Sequence, residues 1–404
     1  MQKYSFEDLK FTELKETIRV FFLGNYYFDI HKSEIEKAGK FSIDGRDLLF
    51  SGKPRKLEHF INNGFNRLYN TITNRRTIYI HQNSGIPLLG SSYFGIVDRN
   101  TNLIELRPNT GCNLACIYCS INEAGKKTVD FVVEADYLVQ ELEKLIDFKG
   151  NNDIEVHINP QGEPLLYQPL QRLVSLISKI PKVKSSSIDT NGTALTKKKI
   201  DELLNAGITQ FNISIDSPDK QKAKKIAGGD YPVERIKKSA EYIRGKAPLF
   251  LTPLYLPGIN DEDIEKIIEF AKAIDAGVGI QNFLWYRQGK NPCKAIPMEE
   301  FYEKLKTLEK KHALKLIYTA KDFGIYKTKK LPVPFKKEEV IDGEIISPGR
   351  FEGEVITKTR GRVIEVKEAK KESGRIKAKI LRTKHNIFRA SAVGDATKKK
   401  NSSL

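Results

Sequence analysis

Three of the four cysteines in this 404-residue chain fall within eight residues. They are Cys112, Cys116 and Cys119, in the segment Arg107-Pro108-Asn109-Thr110-Gly111-Cys112-Asn113-Leu114-Ala115-Cys116-Ile117-Tyr118-Cys119-Ser120, spaced Cys-x3-Cys-x2-Cys. Three thiolates on one tight loop can each hold one iron of a cubane cluster, and soft sulfur donors suit iron. No fourth Cys or His lies nearby. Structural zinc would use that fourth ligand, and a redox Cys-x-x-Cys pair has no need of Cys112; chance spacing is the remaining alternative. An iron without a protein ligand is an open coordination position of the kind a catalytic metal site keeps. Cys293 stands apart and reads as an inert thiol, with a radical-relay or cluster role as the alternative. A tight triplet is not how an oxidised, exported scaffold distributes its cysteines.

The elements that would position this loop alternate. Strand candidates are Leu103–Arg107, Ile154–Ile158, Ser186–Asp189, Gln210–Ile215, Leu249–Tyr255 and Gly279–Leu284. Helical runs lie between them: Val132–Ile146, Leu170–Ile180, Lys197–Ala206, Pro232–Ile243 and Asp261–Ile274, with Phe301–His312 as a closing helix. Six such units over residues 101–320 predict an α/β fold, a partial (β/α)6 barrel short of the eight units of a full one. Residues 1–100 read as a separate N-terminal α+β region, with helix-like apolar spacing over Phe6–Phe22 and short strands at Asp47–Phe50, Thr77–His81 and Tyr93–Val97. His31, His59 and His81 there share no ligand spacing. Residues 340–393 predict a small basic β-barrel with strands at Glu352–Thr357, Arg362–Val366, Arg375–Leu381 and Ile387–Ala392. Residues 394–404 read as a flexible tail. No apolar stretch approaches the roughly 20 residues of a membrane span. The charged stretch Met1–Lys15 lacks the apolar core of a secretory signal, so a cytoplasmic location is expected.

The cysteine triplet after the first barrel strand resembles that of the radical S-adenosylmethionine (SAM) superfamily, in an archaeal-type chain, over roughly residues 101–290. The resemblance implies a TIM-like radical SAM barrel in which Cys112, Cys116 and Cys119 bind a [4Fe–4S] cluster. It further implies that SAM chelates the fourth iron and is cleaved by one electron to a 5′-deoxyadenosyl radical, with a ferredoxin or flavodoxin as electron donor. Tyr118 matches the aromatic position that packs by the adenine. Asn159-Pro160-Gln161-Gly162-Glu163-Pro164 is similar to the family's Gly-Gly-Glu-Pro motif, with Gln161 in place of the first Gly. There a Gly lets ligand approach the main chain, and Glu163 would receive the SAM ammonium. Asp189-Thr190-Asn191-Gly192 resembles the element found near the SAM carboxylate and ribose. Ser214 and Asp216, two apart on the fourth strand, would share one face toward the ribose. In Pro257-Gly258-Ile259-Asn260-Asp261, Asn260 or Asp261 is expected to cap the following helix. Gln281 is expected at the barrel mouth as a SAM or substrate contact, and Trp285, Tyr286, Arg287 and Lys290 at the substrate entrance or in a barrel-closing segment.

Charge bears on the substrate. The net charge is +17, and residues 350–404 hold 16 Lys/Arg against 6 Asp/Glu, so ten of the surplus sit at that end. The stretch Gly353–Val393 resembles a TRAM domain, an OB-like RNA-binding barrel, and a basic barrel suits phosphate contact. RNA modification (tRNA or rRNA) is therefore the expected activity, and removal of residues 345–404 is expected to abolish RNA binding while leaving SAM cleavage intact. The alternatives are modification of a protein or peptide, of the activase or C-methyltransferase type, and small-molecule biosynthesis. Oligomeric state is not legible.

Overall fold

The structure, a computed structural model, describes residues 1–121, 127–150 and 153–393. The expected tail, 394–404, lies outside the described residues. Six parallel strands stand side by side in chain order: Leu103–Arg107, Ile154–Ile158, Val183–Thr190, Gln210–Ile213, Leu249–Leu251 and Gly277–Val278. This is the α/β partial barrel expected. A seventh strand, Gly95–Asp98, adds antiparallel to the first. Helices follow the strands and pack outside them. Ala135–Lys149 buries Leu138, Val139, Leu142, Leu145 and Ile146, an i, i+4, i+7 stripe. Lys197–Ala206 starts where the Thr196 hydroxyl accepts from Lys199 N and stops at Gly207, in the left-handed region at φ 106°. Phe250 of the fifth strand packs with Tyr318 and Phe323, with ring centroids 5.4–5.6 Å apart.

Several boundaries differ from the sequence reading. Phe6–Phe22 forms no helix. Leu9–Glu13 pairs antiparallel with Thr17–Phe22 in a four-stranded sheet. Each strand alternates, burying Leu9 and Phe11, then Ile18, Val20 and Phe22; the intervening turn shifts the phase so that the two together imitate helical spacing. Asp130–Val133 is a strand parallel to Thr77–Ile80, and the helix begins only at Ala135. The β-branched pair Val132–Val133 fits a buried strand better than a helix start. The fifth strand breaks after Leu251 at Pro253, which has no N–H to donate. It resumes as Leu254–Tyr255, paired with Gln281–Asn282, while the sixth strand proper is Gly277–Val278.

The C-terminal region is a closed five-stranded barrel of Val340–Pro348, Val355–Thr359, Arg362–Lys367, Arg389–Ala392 and Arg375–Arg382. It has its own core around Ile364, Val366, Ile380 and Phe388. It is nevertheless joined tightly to the rest of the molecule. Ile356 and Val363 belong to the main core. Glu365 accepts from the Ser91 and Ser92 hydroxyls at 3.0 and 2.8 Å, and Tyr93 donates to Glu354 at 3.0 Å. Arg350, 1% exposed, reaches Asp130 at 2.5 Å and Thr110 Oγ1 at 2.6 Å. Asp130 also accepts from Asn70 and Thr73 of the N-terminal region. One buried carboxylate, Asp130, thus ties three regions together, and its partner Arg350 also holds Thr110, two residues before Cys112.

Candidate active site

The loops at the C-terminal ends of the barrel strands enclose a cavity of about 570 Å³. Its lining includes Cys112, Cys116, Tyr118, Cys119, Gly162, Glu163, Asp189, Asn191, Ser214 and Gln281. Of the residues expected to meet SAM, Asp216 alone is missing from this lining; of those expected at the entrance, Tyr286 is present and Trp285, Arg287 and Lys290 are not. The thiol loop is held on two sides. Ala115 N and Ile117 N donate to Ala227 O and Ile226 O, at 3.1 and 2.9 Å. On the other side Lys290 N donates to Cys119 O at 2.9 Å, and Lys290 Nζ to Ala115 O at 2.6 Å. Ala227 ends a helix, Lys220–Ala227, that the sequence reading missed. Asp219 caps it, and at its end Gly228 takes φ 61° and sits where a Cβ would come within 2.3 Å of Ala115 O. The three thiols are half-buried and unbridged. Burial pushes the Cys116 thiol up, with further repulsion from Asp216, Cys112 and Cys119, which places negative charge from three sulfurs within mutual reach. A positively charged iron centre inverts that balance, so the donor set fits a cluster better than it fits free thiols.

Tyr118 donates from its hydroxyl to Asp216 Oδ2 at 2.6 Å, and Asp216 Oδ1 accepts from Leu254 N at 2.8 Å. Both Asp216 oxygens are therefore occupied behind the Tyr118 ring. Burial pushes its carboxyl up to about 6, against the pull of Tyr118 and Leu254. The shared strand face expected for Ser214 and Asp216 does not exist, because the strand ends at Ile213. Ser214 faces the cavity, and Asp216 positions Tyr118. Asn260 is the N-cap residue of the next helix, as expected, but it caps through its backbone carbonyl and not its side chain. Asn260 bridges Asp216 O, Leu254 O and Leu256 N, and Asp261 accepts from Tyr255 and Gly258 N. Cys293 packs with Ile226, Leu256 and Phe283 in a small apolar cluster that also takes in Ile117 and Tyr118 of the thiol loop.

Glu163 is 2% exposed. It accepts from Thr190 Oγ1 at 2.6 Å, Asn191 N at 2.8 Å and Leu165 N at 3.0 Å. Burial pushes its carboxyl up to about 7, against these three donors. The Asp189–Gly192 turn therefore grips Glu163. Asn191 also donates to Asn113 of the thiol loop at 3.1 Å. Beside Glu163, Gln161 Oε1 is buried without a hydrogen-bond partner, an orphaned acceptor in a cradle that fits an ammonium group. The fold itself also requires the glycine at 162. A Cβ there would stand 2.2 Å from Gly111 O, because the second strand end packs directly on the thiol loop, where Glu163 N donates to Gly111 O at 2.9 Å. Gly162→Ala should accordingly displace the thiol loop and lower the iron retained after reconstitution by half or more, measured by iron content; iron equal to wild type would show that the contact is slack.

Asp189 turns inward. It accepts from Asn212 at 2.7 Å, and its Oδ2 lies 2.9 Å from His157 Nε2. Burial disfavours the His157 charge, but the Asp189 carboxylate more than compensates and raises its pKa. His157, Asn212, Arg99 and Arg107 were not read as site residues. The signal for the first two was strand alternation, which places polar side chains on the inner face. Arg99 and Arg107 both bind Glu105, at 2.5 and 3.0 Å, and both line the cavity.

The chain matches the family described as the Radical SAM superfamily over residues 106–271. It is 37% identical over 408 residues to the uncharacterized protein MJ0103 of Methanocaldococcus jannaschii, covering 90% of this chain and 94% of that one. It is 27% identical over 256 residues to the GTP 3',8-cyclase of Campylobacter jejuni subsp. doylei, covering 63% of this chain and 75% of that one. Among solved structures it is similar to Streptococcus suis SuiB bound to S-adenosylmethionine, at 15% identity and a TM-score of 0.43, over 78% of this chain and 72% of that one. The matched family span opens inside the first barrel strand and closes in the helix after the fifth, so it contains the thiol triplet and the Glu163 cradle. The chain is an enzyme of the radical SAM superfamily, whose cofactors are a [4Fe–4S] cluster and SAM.

Proposed function

We propose that Cys112, Cys116 and Cys119 each hold one iron of the cluster, that SAM lies across the strand ends between the thiol loop and Glu163, and that the substrate is RNA. The observation that carries this reading is the convergence of three thiols and one buried carboxylate on a single cavity. When bound, such a cluster supplies one electron to cleave SAM reductively, giving methionine and a 5′-deoxyadenosyl radical that takes a hydrogen from substrate. The residues of the chain hold and orient the reactants. Glu163, fixed by Thr190 and Asn191, receives the SAM ammonium with Gln161 beside it. Tyr118, fixed by Asp216, presents its ring to the cavity. Ser214 and Gln281 offer polar contacts along the far wall. A low-potential donor such as a ferredoxin or flavodoxin supplies the electron. The RNA reading is supported by the basic C-terminal barrel packed beside the cavity. A free nucleotide is the second reading, favoured by the relatives named GTP 3',8-cyclase.

Nucleoside mass spectrometry of tRNA and rRNA from a deletion strain and its parent tests the substrate. Loss of one modified nucleoside, restored by wild type but not by Cys119→Ala, is the expected result; an unchanged profile moves the substrate to a free nucleotide, a peptide or another small molecule. The Glu163 carboxyl also predicts a pH dependence. Only its ionised form attracts an ammonium, and with a pKa of about 7 that form is lost as pH falls. SAM affinity by equilibrium dialysis should be about tenfold weaker at pH 6 than at pH 8, and Glu163→Gln should remove the dependence.

A further inference from the structure

The cavity opens between two features that the thiols and strand ends do not use. On one side, the segment after Asn282 crosses the thiol loop, fixed there by Lys290 and by Gly289, whose Cβ would stand 3.0 Å from Cys119 O. Its large side chains nevertheless face solvent: Leu284 is 47% exposed, Trp285 63% and Tyr286 46%, and Leu284 and Tyr286 line the cavity. A run of three such side chains on a pinned segment marks an interaction site.

Across the mouth stands the edge of the C-terminal barrel. Arg389 donates to Ser92 Oγ at 2.9 Å, and Arg107 of the cavity wall donates to Ser92 O. The two regions therefore meet through one residue. Glu365 pairs with Arg389, and Glu105 with Arg99 and Arg107. Arg287, Lys367 and Arg382 have no carboxylate partner among the described residues. They lie within reach of the same charges. Burial and then Arg389 and Arg287 lower the pKa of Lys367, with Glu354 and Glu365 opposing; burial, Arg389 and Arg99 lower that of Arg382, with Glu365 opposing. Next to Arg382, His385 and Asn386 both hold left-handed backbone, at φ 60° and 53°, in a turn packed on the Gly95–Asp98 strand. Strain of this kind persists where surrounding structure demands it, commonly at ligand clamps. Elsewhere on the barrel Arg375 pairs with Asp342 and Lys379 with Glu338.

We infer that this mouth is a nucleotide subsite, in which Trp285 and Tyr286 stack a base while Arg287, Lys367 and Arg382 take the adjoining phosphate. The inference rests on the reading of the substrate as RNA; a nucleoside triphosphate presents the same base and phosphate chemistry. Aromatic stacking accepts any base, so the subsite admits the substrate and leaves selection of the reacting base to the cavity below. The C-terminal barrel contributes to binding through its edge at the mouth.

Trp285 is the only tryptophan in the chain, so its intrinsic fluorescence reports this subsite directly. The full chain is titrated with a single-stranded oligoribonucleotide, GTP, inorganic phosphate and an acidic peptide. The oligoribonucleotide should quench Trp285 saturably. Lys367→Gln and Arg382→Gln should each weaken it about tenfold and reduce the slope of log affinity against log salt by about one. Quenching by GTP at lower concentration than by the oligomer supports the subsite and argues against the RNA reading. Quenching by neither nucleotide probe, or wild-type affinity in the Lys367→Gln/Arg382→Gln double variant, overturns the subsite. Nucleoside loss in the deletion strain together with such a result leaves the RNA reading standing while this inference fails. Quenching by the acidic peptide alone overturns both.

Discussion

Arg350→Met should destabilise the protein by about 3 kcal/mol, because a buried carboxylate loses its nearest charge partner and keeps only Arg75, 3.9 Å away. Arg350 and Asp130 are each 1% exposed in their side chains, and their nearest atoms are 2.5 Å apart. The guanidinium also donates to Thr110 Oγ1 at 2.6 Å and Val129 O at 2.7 Å. Methionine fills the volume but supplies none of these donors. Thr110 and Gly111 lead directly into Cys112, so the variant should also retain less iron. Urea unfolding checks the first effect and iron content the second. Adding Asp130→Asn removes that charge, so the double variant should recover at least a third of the lost stability. Unchanged stability in Arg350→Met would mean that water reaches Asp130 and that the C-terminal barrel is only loosely attached. The same geometry overturns the expectation that residues 345–404 can be removed without harm to SAM chemistry. That deletion takes away Arg350, Ile356 and Val363 together, exposing the main core and the base of the thiol loop, so its loss of activity would say nothing about RNA.

The elements that were legible from the chain are those with local causes. Leu103–Arg107, Ile154–Ile158 and Lys197–Ala206 match their expected limits, because each carries its own periodicity and, for the helix, its own cap. The thiol triplet was legible for the same reason: its ligands are adjacent in sequence. What was hidden depends on distant partners. The helix Lys220–Ala227 buries only Ala223, Ile226 and Ala227, so its polar sequence gave little sign of the loop it supports. Gly162 looked like a ligand-facing glycine, but the atom that excludes a side chain is Gly111 O. Asp216 was expected to share a strand face with Ser214; the strand ends at Ile213, and the carboxylate holds the Tyr118 hydroxyl. Arg350 and Asp130, 220 residues apart, are ordinary charged residues until the fold buries them. Arg99 and Arg107 likewise became visible only as neighbours of one Glu105 at the cavity wall.

Cys116→Ala should lose the cluster and every reaction that depends on it. Cys116 is the middle thiol of the three, and burial and the nearby Asp216 carboxylate push it up. No other thiol is placed to substitute: the fourth cysteine packs in the apolar cluster of Ile226, Phe283 and Tyr118. After anaerobic reconstitution the wild type should hold on the order of four irons per chain, as a cubane cluster requires, and the alanine variant should fall toward background. Formation of 5′-deoxyadenosine should fall with it. Stability to urea should change far less than in Arg350→Met, because the thiol is half-buried and its removal orphans no charge. Cys293→Ser provides the control: it should keep both iron and SAM cleavage, since that sulfur only packs. Iron near wild type with intact 5′-deoxyadenosine formation in Cys116→Ala would remove the thiol triplet from the chemistry altogether. Iron lost from Cys293→Ser as well would bring the fourth cysteine into the site, and the apolar cluster behind Tyr118 would then have to open when the cluster is built.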